Sequence, residues 1–405
     1  MIRPISLFLL IGLLVANHAS AAMHQPKLIW LMFFLLILPI IFIATVQVAK
    51  QAKAITLFAT FAVLLSWFVA VYFFSWAILV QKLTQNMLFV EDFFIVIPAI
   101  FWLLVLWFVT SPISNRMSWV SHRFRLDIFL LMAPVFFLFA VSDVAVLCGV
   151  SEENVEIIEL LACLALLAFA PFFIARILSA KPMSNYELRS SISDIGKMAG
   201  VRRSNILVWN THNRIMNALA IGVIFQPKTI VLTDKLIANL TQQELRSVTA
   251  HEFGHHKYWH IPFLILTTIT VMVLSSKVLL LMGFDIGGGF VFLSQLVLMV
   301  LAIILVSRIF EKQADAYAAV ALSAASGSES VTPEGASPLA SALGAIAQTQ
   351  CINPSRKDLL HGSITSRQRD IQALVGCSFS GIPINKQVFF LKIGLVVFFL
   401  LGILI

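Results

Sequence analysis

His251 and His255, in the run HEFGH, stand four residues apart, so on a helix their imidazoles share one face and can reach a single metal ion. Glu252 lies beside them and is free to handle protons. This is the pattern of metal-assisted hydrolysis, with one zinc ion per chain as the cofactor. Zinc brings the pKa of a bound water down to about 7. Glu252 then accepts its proton as general base and returns it, as general acid, to the leaving amine. Such a site takes a third protein ligand and keeps its fourth position open.

The elements around the motif indicate where that ligand comes from. TQQE at Thr241 to Glu244 is a capping box, which starts a helix running through His260 and into a membrane span. Apolar runs at 261–283 and 289–306 form a transmembrane hairpin, so the chain re-emerges on the side where it entered, at SRIFEKQAD. Glu311 lies about a turn past that exit, as His255 lies about a turn before the entrance. Asp315, at i+4 from Glu311, shares its helix face and can hold a ligand histidine through its second ring nitrogen. His256 and His260 are alternative ligands.

The whole chain belongs in a bilayer. Of its 405 residues, 60% are hydrophobic and 12% charged, with mean hydropathy +0.94, which excludes an ordinary soluble globular protein. Apolar stretches near 28–48, 55–80, 93–112, 127–149, 156–178, 261–283, 289–306 and 387–405 predict about eight spanning helices. The expected fold class is mainly α: a polytopic α-helical membrane protein with a zincin-like α+β catalytic part that carries a small sheet. The net charge of +8 tracks topology and not nucleic acid. Lys50, Lys53, Arg116, Arg123, Arg125, Arg176 and Lys181 alternate along the chain with Glu91, Asp92, Glu152 and Glu153, which places 177–260 in the cytoplasm. Cys148, Cys163, Cys351 and Cys377 have no ligand-like spacing and read as reduced packing residues.

Four segments follow from this reading. Residues 1–22 resemble a secretory signal, with an uncleaved anchor as the alternative. Residues 23–179 are a bundle of five spans, 180–386 the metallopeptidase domain interrupted by the hairpin 261–306, and 387–405 a last span. Within the catalytic part, SNYE at Ser184 to Glu187 opens a helix that ends at Gly200, and 206–210, 215–222 and 228–233 are strands of a small sheet. Residues 321–345, rich in Ala, Ser, Gly and Pro, read as a mobile loop ending in a short helix. Lys277 and Asp143, ionisable groups in apolar runs, point to a polar interior chamber or to side chains reaching an interface.

HEFGH, two spans and then SRIFEKQAD resemble the membrane gluzincins: the type I CAAX prenyl proteases and the HtpX heat-shock proteases. Asn217, Ala218 and Gly222 in NALAIG match the family's edge-strand motif, and His361 and Arg367 in HGSITSR its downstream pair. Gly362 stands where the family usually has proline. The resemblance covers about 180 to 375. It implies that Glu311 is the third zinc ligand, with Asp315 behind the ligands. It also implies that Asn217, Ala218 and Gly222 bind substrate backbone by strand addition, and that His361 and Arg367 stabilise the oxyanion.

The expected activity is zinc-dependent cleavage of peptide bonds in membrane-associated or lipid-modified proteins, at the cytoplasmic face of a bacterial inner membrane. Expected partners are protein or peptide substrates, membrane-embedded or prenylated, and membrane lipid, without nucleic acid. A non-catalytic scaffold or transporter is the alternative. A metal held deep in the bilayer is disfavoured, because Thr249, His256, Lys257 and His260 flank the motif before the span begins.

Overall fold

The computed structural model describes residues 28–48, 53–84, 87–111, 116–201, 203–222, 228–283, 289–358 and 360–404, together with the single positions 5, 9, 12 and 13. The signal-like segment 1–22 lies outside the described residues apart from those four. Seven described helices are long and apolar enough to cross a membrane, or eight if one bent pair forms a single span. The chain divides into two compact units, Met1–Leu166 and Leu167–Ile405.

The first unit contains α1 (Leu28–Val48), α2 (Lys53–Phe73), α3 (Trp76–Thr84), α4 (Leu88–Thr110), α5 (Arg116–Phe129), α6 (Leu130–Leu147) and the first part of α7 (Glu152–Ile177). The run 55–80, expected as one span, breaks at Ser75, whose φ of 61° stops the helix and starts α3. The run 127–149 is the bent pair α5 and α6, which meet at 56°. A wide turn at Arg125–Phe129 and Pro134, four residues past α6's start, account for the bend. The two oxygens of Asp143 accept the backbone N–H groups of Leu88 and Phe89 at 2.8 Å each, capping the start of α4.

The second unit carries a four-stranded sheet of order β1-β2-β4-β3, built from β1 (Lys181–Pro182), β2 (Ser204–Trp209), β3 (Ala218–Ile221) and β4 (Lys228–Thr233). β2 and β4 run parallel, while β3 is antiparallel to β4 and forms an edge. Ile206, Ile230 and Leu232 alternate onto one face, where they join a core with α8 (Tyr186–Met198) and α10 (Gln242–Lys257). α9 (Asp234–Asn239) links β4 to α10. α8 is capped by Asn185, which accepts from Leu188 N, one residue later than the expected Ser184. Gly200 closes it at φ 78°.

α10 begins at the full capping box of Thr241 and Glu244. It does not continue into the membrane as expected: Trp259, at φ 56°, ends it, and α11 (His260–Leu281) starts in a new direction. α12 (Gly289–Ala325) is the return limb of the hairpin and runs without interruption past Glu311. The expected mobile loop at 321–345 is instead the end of α12, a turn and α13 (Pro333–Thr349), which sends Ala336, Leu339, Ala342 and Leu343 into the core. Its small residues serve close packing. A side chain on Gly335 would meet Ser323 Oγ at 2.0 Å and the Ala319 carbonyl at 2.8 Å. α14 (Ile364–Gln372) and α15 (Pro383–Leu404), the last apolar helix, complete the unit.

Candidate metal and catalytic site

α10 and α12 cross with Gly254 between them. A Cβ there would lie 3.1 Å from Tyr317 Cδ1 and 3.2 Å from Ala314 Cα, so the missing side chain lets the helices approach. This brings Glu311 beside the histidines. His251 Nε2 and His255 Nε2 are 3.2 Å apart, and each lies 3.5 Å from one oxygen of Glu311. These three residues form a group able to hold one metal ion. Donors bound tetrahedrally at about 2.0–2.1 Å are separated by about 3.3 Å, so the residues fit such an ion. Glu311 Oε2 is buried with no hydrogen-bond donor among the described residues, an acceptor that a cation would satisfy.

The alternative ligands face elsewhere. His256 is buried against the sheet, where its ring meets the Thr229 backbone, and burial, then Lys228, push it down to about 4. His260 contacts His255, Nδ1 to Nδ1 at 3.0 Å, and lies behind the donor set.

Electrostatics around the donors are asymmetric. Burial disfavours a charged His251, but Asp315, 2.9 Å from Nδ1, and Glu311 outweigh it and hold the imidazole up at about 10. His255 goes the other way, pushed down to about 4 by burial and then by the charged His251, against Glu311. Between those values one proton occupies the donor set, and a metal must displace it. Apparent metal affinity should therefore rise about tenfold per pH unit from about pH 5 to 9, because lower pH favours the competing proton. Chelator-competition titrations across that range read the slope, and a flat profile would reject this protonation pattern.

Glu252, half-buried, faces the edge strand. Burial raises its carboxyl above the usual range; His251 opposes this, Glu311 adds to it, and the backbone N–H of Ala220 opposes it in turn. The orientation of Ala220 follows from register. Asn217 O accepts from Thr233 N at 3.1 Å, so odd residues of this segment bond β4 while Ala218 and Ala220 turn their backbone groups outward. The Asn217 side chain stands at the head of that edge. Gly222, at φ 116° and with Pro171 3.2 Å from any added Cβ, closes its other end.

His361 is exposed, with Nε2 3.9 Å from Glu311 Oε1 and Nδ1 2.9 Å from Asp358. Asp358 and Gly362 pair across the bend that carries it, and Gly362 has φ 77°, a conformation closed to proline. The departure from the family pattern therefore has a local use. Arg367 is more enclosed than an oxyanion donor requires: Nε and Nη2 grip both oxygens of Asp315 at 2.8 and 2.6 Å, and Nη2 lies 3.5 Å from Glu311 Oε2. Sequence reasoning missed Asp358 and Ala220. Of these only Asp358, three residues before His361, carried a local signal.

Comparison with known proteins agrees with this geometry. Residues 182–341 match Peptidase family M48. A Protease HtpX homolog of Thermoplasma volcanium is 23% identical over 285 residues, 65% of this chain and 87% of that one. A CAAX prenyl protease 1 homolog of Dictyostelium discoideum is 35% identical over 107 residues, a quarter of each chain. The crystal structure of S. mikatae Ste24p shares the fold, with a TM-score of 0.51 at 17% identity over 91% of this chain and 99% of that one. With its apolar helices and its His-His-Glu group, the chain is a membrane metallopeptidase built around a family M48 domain.

Proposed function

We propose that the protein is a zinc endopeptidase of a bacterial inner membrane that cleaves membrane-associated or lipid-modified proteins at the cytoplasmic face, with 180–386 as its peptidase domain. The observation that carries this reading is the convergence of His251, His255 and Glu311 with a half-buried Glu252 beside the edge strand β3. One zinc ion, held by those three donors, would supply Lewis acidity and an acidified water when bound.

The chain's own residues do the rest. Substrate backbone extends along β3, pairing with the outward groups of Ala218 and with the Ala220 carbonyl while the Ala220 N–H engages Glu252, and the Asn217 amide fixes its register. Glu252 takes the proton of the attacking water and passes it to the leaving amine. His361, oriented through Nδ1 by Asp358, presents Nε2 to the negative charge that develops on the scissile carbonyl. Arg367 adds positive charge from behind Asp315.

Two measurements test the reading. Purified protein is offered a casein-type substrate and a prenylated peptide, with and without chelator. Chelator-sensitive cleavage of casein supports quality control of membrane proteins, preference for the prenylated peptide supports prenyl-protein processing, and cleavage that survives chelation rejects the zinc reading. Sidedness is read from the chain's own exposed thiols, Cys148 and Cys351. Three spans, α7, α11 and α12, separate them, so they belong on opposite sides. An impermeant maleimide added to spheroplasts should label Cys148 and spare Cys351 until the membrane is opened; the reverse would move the site to the outer face.

A further inference from the structure

His255 and His251 are supported from behind in different ways. His251 has a carboxylate, Asp315, 2.9 Å from Nδ1. His255 has a neutral chain: its Nδ1 meets His260 Nδ1 at 3.0 Å, His260 Nε2 meets Gln313 Oε1 at 2.9 Å, and Gln313 Nε2 donates to Asn385 Oδ1 at 2.9 Å. His260 and Gln313 are buried. The His260 ring also stacks on Phe310, with centroids 4.3 Å apart and planes within 5°, so it cannot turn away. Lys392 of α15 donates to the Tyr258 carbonyl at the end of α10, tying the same helix to the site's rear.

We propose that His260, Gln313 and Asn385 form a hydrogen-bond relay that sets the tautomer and ring orientation of His255 and links the metal site to α15. The inference rests on the proposed role of His255 as a ligand. The relay can run in two directions, and only one is compatible with ligation. If Asn385 accepts from the Gln313 amide, Gln313 Oε1 accepts from His260 Nε2–H. His260 Nδ1 is then an acceptor, His255 Nδ1 carries the proton, and His255 Nε2 keeps its lone pair for a metal. Reversing every bond puts a proton on His255 Nε2 and removes the ligand. The three residues are positioning residues, and they occupy three different helices, α11, α12 and α15, so the site is complete only when these are packed together.

The test compares zinc affinity, by competition with a chromophoric chelator, and the visible absorption of the cobalt(II)-loaded protein across a panel of full-length variants in detergent. His260→Phe keeps the stack on Phe310 and removes both hydrogen bonds; Gln313→Leu breaks the relay at its centre. Each should weaken zinc binding about 10- to 100-fold and shift the cobalt spectrum. Asn385→Asp and Gln313→Glu preserve an acceptor in the required direction and should bind within a few-fold of wild type. A purely structural role would not separate Gln313→Glu from Gln313→Leu by metal affinity. Wild-type affinity in both His260→Phe and Gln313→Leu, alongside lost binding in His255→Ala, overturns the relay alone. Undiminished binding in His255→Ala overturns the ligand reading on which it stands.

Discussion

Glu252→Gln should leave the metal in place and reduce peptide cleavage by about 10³–10⁴-fold, the upper range of general acid–base catalysis. Glutamine keeps the length of the side chain, and its carbonyl oxygen can still accept the Ala220 N–H that engages Glu252. The strand edge should therefore remain ordered, while the group that takes a proton from water is gone. Single-turnover cleavage measured beside metal content separates the two roles. If the variant cleaves at more than a tenth of the wild-type rate, another base operates and the mechanism above is wrong. If it loses metal as well, Glu252 belongs to the structural support of the donor set.

Two of the three proposed donors and the proposed base lie in one short run of sequence. HEFGH carries its geometry locally, through the i, i+4 spacing and the Thr241 capping box, which the structure forms in full. Glu311 lies sixty residues from His251, but the hairpin of α11 and α12 returns the chain to the same place, and length arguments alone bring it near. Other features depend on packing that no local pattern encodes. The Ala-, Ser- and Gly-rich stretch at 321–345 has the composition of a linker, and those same small residues allow α13 to settle on α12. The break at Trp259 is a left-handed residue that is not glycine, and its local sign is Pro262 in the first turn of α11, set within an otherwise continuous apolar run. The bonds from His260 to Gln313 and from Gln313 to Asn385 span 53 and 72 residues and involve ordinary polar side chains. Charge alternation read Glu91 and Asp92 as loop markers, whereas both are buried in the first turns of α4, with Glu91 accepting from Gln81.

Arg367→Ala is expected to cost metal and stability as well as turnover, which distinguishes it from removal of a simple oxyanion donor. A donor aimed only at the reacting carbonyl would lower kcat and leave the resting site intact. Arg367 instead forms a two-pronged pair with Asp315, whose other contact is the His251 ring. Both side chains of that pair are largely enclosed, at 13% and 6% exposure. Truncating the arginine strands a buried carboxylate, a change that costs about 3–5 kcal/mol. It also frees Asp315 from the orientation in which it holds His251, so metal affinity should fall about 10- to 100-fold. Arg367→Lys restores one charge without the planar fork and should recover part of the stability but not the full affinity. Thermal melting and chelator competition on the three proteins decide the matter. A variant with wild-type melting and wild-type metal affinity, slowed only in kcat, would place Arg367 on the substrate side of the site and make the grip on Asp315 incidental. Parallel loss of all three would make Asp315 and Arg367 one structural unit, with His361 as the remaining side-chain donor to the developing charge.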